Sequence, residues 1–271
     1  MKKIILFISL YSLLCTHFSF AQTPGKAENK TDEKGLKQGY WEKIEPATKK
    51  MIYKGTFKDG KPQGMFTYYF QGMDSVKSKM DFRQDGKIAY AQLFYYTGKP
   101  EAKGKYIGEQ KDSLWTFYDG SGILISTEMY AKGKKNGLSK VFFPEGLVSE
   151  EKNYKDGKLN GPFKQYFPDK RVKAEGAYVN DNYDGKCTWY YPNGTAAAQG
   201  VYQNNVKKGV WIYKDKDGKI TDKEVWQNGK QLTSKQTEEY FKKNKPVAEN
   251  APERKPEGTA TKKNEVKAKG K

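Results

Sequence analysis

The stretch Gly176-Ala177-Tyr178-Val179-Asn180-Asp181-Asn182-Tyr183-Asp184-Gly185-Lys186-Cys187-Thr188-Trp189-Tyr190-Tyr191-Pro192-Asn193-Gly194 decides the fold. Residues 176–179 read as a short strand. Residues 180–185 read as a turn, because Asn, Asp and Gly tolerate a left-handed backbone. Residues 186–191 form a second strand, closed by the tight-turn signal Pro192-Asn193-Gly194. The chain then restarts at Gly200-Val201-Tyr202, 24 residues after Gly176-Ala177-Tyr178. One unit is a β-hairpin, and the unit recurs.

Working outward, an aromatic residue returns at Phe57, Phe82, Tyr106, Tyr130, Tyr154, Tyr178, Tyr202 and Trp226, every 24 residues after a first step of 25. Gly98, Gly122, Gly146, Gly194 and Gly218 keep the same beat, with Lys170 in the missing slot. So do Gly137, Gly161, Gly185 and Gly209, with Ala89 and Ser113 standing in earlier. Where the glycine three residues after the aromatic is absent, Asp181 or Asn205 replaces it, the types that best accept positive φ. A fixed period in this range marks a repeat protein whose units bury apolar side chains only against their neighbours. The reading is all-β: a repetitive antiparallel hairpin meander or solenoid. About sixteen strands at ~4.8 Å spacing give a sheet about 75 Å long.

Strand side chains alternate between faces. Counting from the loop glycine, Phe66, Tyr68 and Phe70, Trp115 and Phe117, Phe163 and Phe167, Trp189 and Tyr191, and Trp211 and Tyr213 share one face. Tyr69, Tyr118, Phe142, Tyr166 and Tyr190 share the other. Rings stacked across strands hold such a sheet together, each buried ring contributing roughly 2 kcal/mol. The row Tyr69, Tyr118, Tyr166 and Tyr190 is the candidate partner-binding surface, with packing as core the competing reading.

Tyr154-Lys155-Asp156-Gly157-Lys158-Leu159-Asn160-Gly161-Pro162-Phe163 and Gly209-Val210-Trp211-Ile212-Tyr213, followed by Asp217-Gly218-Lys219, resemble the bacterial variant of the MORN repeat. The resemblance covers about 200 residues in eight units. It implies a MORN-like β-hairpin solenoid used for protein or membrane-surface contact and supplies no catalytic residues. Relatives sometimes labelled antitoxin make toxin binding a further alternative. The third unit departs, with Ala89-Tyr90 where glycine and a spacer are expected.

The flanks differ from the repeats. Lys2 and Lys3, an apolar run over residues 4–14 and Ser19-Phe20-Ala21 read as a signal peptide over 1–21, with export to the periplasm or outside the cell. Residues 22–33 read as a flexible linker, 34–232 as the repeats, and 233–244 as a short helix with Ser234 as its candidate cap. Residues 245–271, rich in Lys, Glu and Pro, read as a disordered tail. The degenerate first unit around Gly39-Tyr40-Trp41 and the helix are candidates for covering the edge strands.

The lone histidine, His17, and Cys15 lie in that leader, leaving Cys187 as the single later cysteine. No Ser-His-Asp or Cys-His arrangement follows, and Cys187 reads as a small buried apolar residue. No catalytic set, metal site or cofactor is identified. Asp59, Asp85, Asp156, Asp184 and Asp217 stand beside glycines and read as turn formers. Asp215-Lys216-Asp217-Gly218 is the nearest approach to a calcium loop, but coincides with the repeat turn. The net charge of +18 is almost all lysine, with Arg83, Arg171 and Arg254 the only arginines, which argues against nucleic acid as partner. The expected function is a non-enzymatic scaffold binding a protein or envelope component through one sheet face. The alternative is a basic adaptor for anionic membrane or polysaccharide; the oligomeric state stays open.

Overall fold

The computed structural model describes residues 29–244. The expected signal peptide and tail lie outside them. One antiparallel sheet forms in which each strand pairs with its neighbours in the chain. Its first half comprises β1 (Lys30–Thr31), β2 (Lys37–Ile44), β3 (Met51–Lys58), β4 (Lys61–Tyr69), β5 (Val76–Arg83), β6 (Ile88–Phe94), β7 (Pro100–Ile107), β8 (Gln110–Tyr118) and β9 (Leu124–Ala131). The second half comprises β10 (Lys134–Phe142), β11 (Val148–Lys155), β12 (Lys158–Tyr166), β13 (Val172–Val179), β14 (Asn182–Tyr183), β15 (Gly185–Tyr190), β16 (Ala196–Gln203), β17 (Val206–Lys214), β18 (Ile220–Gln227) and β19 (Lys230–Gln231). One helix, α1 (Ser234–Lys243), follows. Sixteen of these nineteen strands are six residues or longer, which is the number the period implies.

The first turn of most hairpins is of the mirror-image kind that matches strand twist, with both central residues at positive φ. Asp59 and Gly60 (φ 51° and 74°), Asp156 and Gly157 (51° and 89°), Asn180 and Asp181 (48° and 71°) and Asn204 and Asn205 (49° and 65°) show it. Each turn is tied to the preceding unit: Gly133 N–H donates to Lys111 O at 2.9 Å, Gly157 to Lys135 O at 2.8 Å and Asp181 to Leu159 O at 2.9 Å. Asp181 and Asn205 do more than tolerate the backbone. The side-chain oxygen of Asp181 accepts from Leu159 N–H at 2.7 Å, and that of Asn205 from Tyr183 N–H at 2.6 Å. The substitutes for glycine thus add a second bond to the previous hairpin.

Beyond the turn, the second strand of a unit bulges at the loop residue: Gly64, Ser113, Gly137, Gly161 and Gly209 all have positive φ there, and the pairing shifts register. The third unit breaks this rule. Ala89 has no left-handed backbone, and β5 pairs with β6 without a shift from Ser78–Leu93 to Arg83–Ile88. Ser113 offsets its left-handed backbone with a bond from its Oγ to Asp112 at 2.9 Å; Ala89 has no such group, so the strand runs straight.

Two expectations need correction. Part of the supposed linker is sheet: Lys30 and Thr31 pair with Gln38 and Lys37. Asp32 fixes that entry by accepting from Lys34 and Leu36 N–H, both at 2.9 Å. The helix cap is Thr233 rather than Ser234, with a reciprocal box to Gln236. At the edges, Asn29 brackets Glu42, its side chain donating to Glu42 O (3.0 Å) and accepting from Glu42 N–H (2.9 Å). At the other end α1 lies beside β18, where Lys223 Nζ is 5.5 Å from the Phe241 ring and Val225 is fully buried.

Candidate binding surface

The sheet has two unlike faces. On the first, the ring face, the periodic aromatics meet the second-strand rings edge-on. Tyr106 and Trp115 lie 4.8 Å apart at 73°, and Tyr202 and Trp211, four periods later, repeat both values. Phe57 and Phe82 flank Phe66 at 5.0 and 5.2 Å. Indole N–H groups donate to the adjacent strand: Trp115 to Lys105 O at 3.1 Å and Trp211 to Val201 O at 3.2 Å. Such edge-to-face pairs add about 1 kcal/mol each beyond burial.

Each large ring needs a seat. A Cβ built on Gly104 would lie 2.3 Å from the Trp115 indole, one on Gly200 2.3 Å from Trp211, and one on Gly55 2.4 Å from Phe66. Gly176 seats Phe163 and the Cys187 sulfur together. Cys187 is fully buried, and burial pushes its thiol up from the ordinary value, as the apolar reading requires. The signal for these seats was present as glycine two residues before the aromatic, in Gly55-Thr56-Phe57, Gly104-Lys105-Tyr106 and Gly200-Val201-Tyr202.

Lysines complete the ring face. Lys111 Nζ lies 4.6 Å from Trp115, 4.7 Å from Phe117 and 5.2 Å from Tyr130, and burial lowers its amine below the ordinary lysine value. Lys207 sits 4.8 Å from Trp211 and donates to Glu224 at 2.8 Å and Tyr213 Oη at 2.6 Å. Lys37 spans Trp41 and Phe57, each at 4.7 Å. These lysines, with Lys135, stand two residues before Gly39, Ser113, Gly137 and Gly209. From composition alone these lysines read as general surface charge, and their placement over the rings is visible only in the fold. Cation–π contact lets them close the ring face without an apolar residue.

The opposite, open face carries the tyrosines singled out above. Tyr69, Tyr118, Tyr166 and Tyr190 are half-buried there, on separate strands. Tyr166 Oη donates to Glu151 at 2.9 Å and Tyr190 Oη to Glu175 at 2.8 Å. Burial first, and the carboxylate bond second, push both phenols up to about 12. Tyr118 has Lys103 Nζ 5.9 Å from its ring. Around them Met65, Tyr90, Ile107, Leu114, Ile125, Leu138 and Val201 are exposed, all facing the same way by strand alternation.

The acidic residues of the turns bond either back to a neighbouring hairpin, as Asp181 does, or within their own turn. Asp215 Oδ1 accepts from Asp217 N–H (3.0 Å) and Lys219 N–H (2.9 Å), and Asp119 makes the same pair of bonds to Ser121 and Ile123. Among the described residues no group of three His, Cys, Asp or Glu side chains is placed to hold a metal ion. No described helix is long and apolar enough to cross a membrane.

The segment from Tyr183 to Asn204 contains β15, the loop at Asn193-Gly194 and β16, and so shares β15 with the hairpin from which the period was read. Residues 183–204 match the MORN repeat variant family. The other hairpins share the period and pairing of the matched one. No curated protein matches the chain. Among solved structures, TarM overlaps with a TM-score of 0.24 at 9% identity, covering 45% of this chain and 19% of that one. A TcdB2-TccC3-Cdc42 structure overlaps at 0.20 and 10% identity, covering 72% and 13%. A Photorhabdus luminescens Tc holotoxin pore overlaps at 0.18 and 12%, covering 71% and 13%. This chain therefore spans under a fifth of the length of each.

Proposed function

We propose that this MORN-type array is a non-enzymatic scaffold, exported by its N-terminal leader, that binds a protein or envelope component through the open face of the sheet. The observation that carries this is the inequality of the two faces. The ring face satisfies itself with interlocked rings, glycine seats and half-buried lysines. The open face leaves Met65, Tyr90, Leu114, Leu138 and Val201 uncovered among lysines, and a series of exposed apolar side chains on one surface is a mark of an interaction site. Tyr166 and Tyr190, with their hydroxyls fixed by carboxylates, supply rigid amphipathic area to the same surface.

The test is site-specific photocrosslinking in cells, with the probe at Leu138 or Val201 on the open face and at Val141 on the ring face. A discrete adduct from the open-face probes alone, in an exported fraction, supports the reading. Adducts only from Val141, or turnover of cell-wall substrates abolished by single Asp or Glu changes, overturns it. A second reading rests on the charge of +18: a basic adaptor for anionic membrane or polysaccharide, whose binding falls steeply with salt.

A further inference from the structure

The open face is not uniform along the array. Where the third unit loses its bulge, β4 to β8 form an open groove of about 800 Å³. Met65, Tyr90 and Leu114 border it and are 58%, 48% and 52% exposed. Its floor is strand backbone, since Ala91 and Gly104 face the other way, toward Trp115.

Charge in the groove is one-sided. Asp81 is the single carboxylate lining it and is occupied by Arg83, whose Nε and Nη2 donate at 3.0 and 2.8 Å. The Lys105 ammonium is held by Asp112 at 2.9 Å. Lys79 and Lys103 have no carboxylate partner among the described residues. They face each other across Gln92, which pairs with both, placing them two strands, ~10 Å, apart.

We propose that this groove binds an acidic peptide segment bearing aliphatic side chains, supplied by a protein partner; the inference rests on the open face being the contact face. Lys79 and Lys103 would meet two carboxylates. Met65 and Leu114 would take the aliphatic side chains, and the Gln92 amide can bond to peptide backbone. The aliphatic borders decide against a glycan. Sugars stack on aromatic faces, and the single ring here, Tyr90, already has the Arg83 guanidinium 5.1 Å from its centre. The chain's own C-terminal segment does not fit, since lysines outnumber acidic residues in 245–271.

The experiment is fluorescence anisotropy on the full chain with a labelled octapeptide, Glu-Asp-Leu-Glu-Val-Glu-Asp-Leu, at physiological salt. Three comparisons accompany it: the same peptide with serine at its three aliphatic positions, an anionic polysaccharide, and phosphatidylglycerol vesicles as competitors. The expected result is saturable binding weakened about tenfold or more by Lys79→Glu with Lys103→Glu. The double change Lys186→Glu with Lys223→Glu, elsewhere on the open face, leaves it within about twofold. Leu114→Ser and the serine peptide each weaken binding with the lysines intact. Equal loss from both charge reversals, equal binding of the serine peptide, displacement by vesicles or polysaccharide at matched charge, or no saturation overturns the proposal. If the peptide fails while open-face probes still crosslink a partner in cells, the occupant assigned to the groove is wrong and the contact face stands.

Discussion

The indole of Trp211 lies flat over Gly200, so close that a methyl group on that glycine would stand 2.3 Å from the ring. Gly104 under Trp115 repeats the relationship. Such overpacking costs about 1–3 kcal/mol, or more where backbone must move. Gly200→Ala and Gly104→Ala are each expected to lower stability by about 3 kcal/mol in urea unfolding. Gly120→Ala, where nothing stands within 4 Å and φ is not positive, changes it little. Equal effects at all three positions would contradict the seating of the rings.

Lys170 occupies a glycine slot with φ 71°, and Lys132 the slot that Asp156, Asn180 and Asn204 fill in later units, with φ 49°. A left-handed non-glycine residue costs about 1–2 kcal/mol, and glycine's extra chain entropy takes back about 0.5–1 kcal/mol. Lys170→Gly and Lys132→Gly should therefore each stabilise the array by about 0.5 kcal/mol, read as a higher urea midpoint with an unchanged slope.

The Lys207–Glu224 pair makes the C-terminal units sensitive to acid. Burial alone would raise Glu224, but bonds from Lys207, Trp226 and Tyr213 outweigh it and hold the carboxyl below its ordinary 4.5. A depressed folded value contributes stability that is present above the ordinary carboxylate range and is lost as pH falls through the folded value. Glu224→Gln should be less stable than the parent at pH 7 and flatter in its acid limb. In base the sign reverses. Tyr166 and Tyr190, raised from 10.0 to about 12, contribute stability that is full below pH 10 and falls as pH rises through 12. Tyr166→Phe with Tyr190→Phe should flatten the alkaline limb of the urea midpoint between pH 9 and about 12.

Core continuity along the ring face is broken between Trp115 and Phe163. Trp115, Glu128, Ser139, Lys152 and Phe163 are successive members of one cross-strand row. One apolar cluster is built around Trp115 and another around Phe163. Glu128 bonds Lys135 at 2.7 Å and Tyr130 at 2.6 Å, so the gap is filled by polar contacts worth less than a buried ring. Amides of β10 should exchange with deuterium ahead of those in β8 and β12. Uniform protection across the three strands would show that the polar strip is no weaker than its flanks.

Much of this was legible because the geometry imposes its own period. A residue that must adopt positive φ, or stack on the unit before, must recur at 24, and Tyr154, Tyr178 and Tyr202 do so visibly. Lys111 and Lys207 recur on the same beat, yet composition hid them, because lysine is read as surface until a ring is found beside it. The Thr233 cap was displaced by one residue because neighbouring Thr and Ser are equal candidates until Gln236 is seen bonding back. Tyr166 and Tyr190 could be assigned a face from alternation alone, but their glutamate partners sit on the adjacent strand, whose register depends on the bulge. The groove at Tyr90 shows in the sequence only as an irregularity of the repeat, since Lys79 and Lys103 are 24 residues apart and face each other only through the straight pairing of β5, β6 and β7.

Among the described residues every strand is partnered by segments immediately before or after it, and no strand pairing spans the array from end to end. Inserting or deleting one 24-residue hairpin would leave the remaining junctions chemically unchanged. Length is thus a free variable for evolution and for the engineer: reach can be altered by duplication while the groove between β4 and β8 keeps its residues, its register and its chemistry.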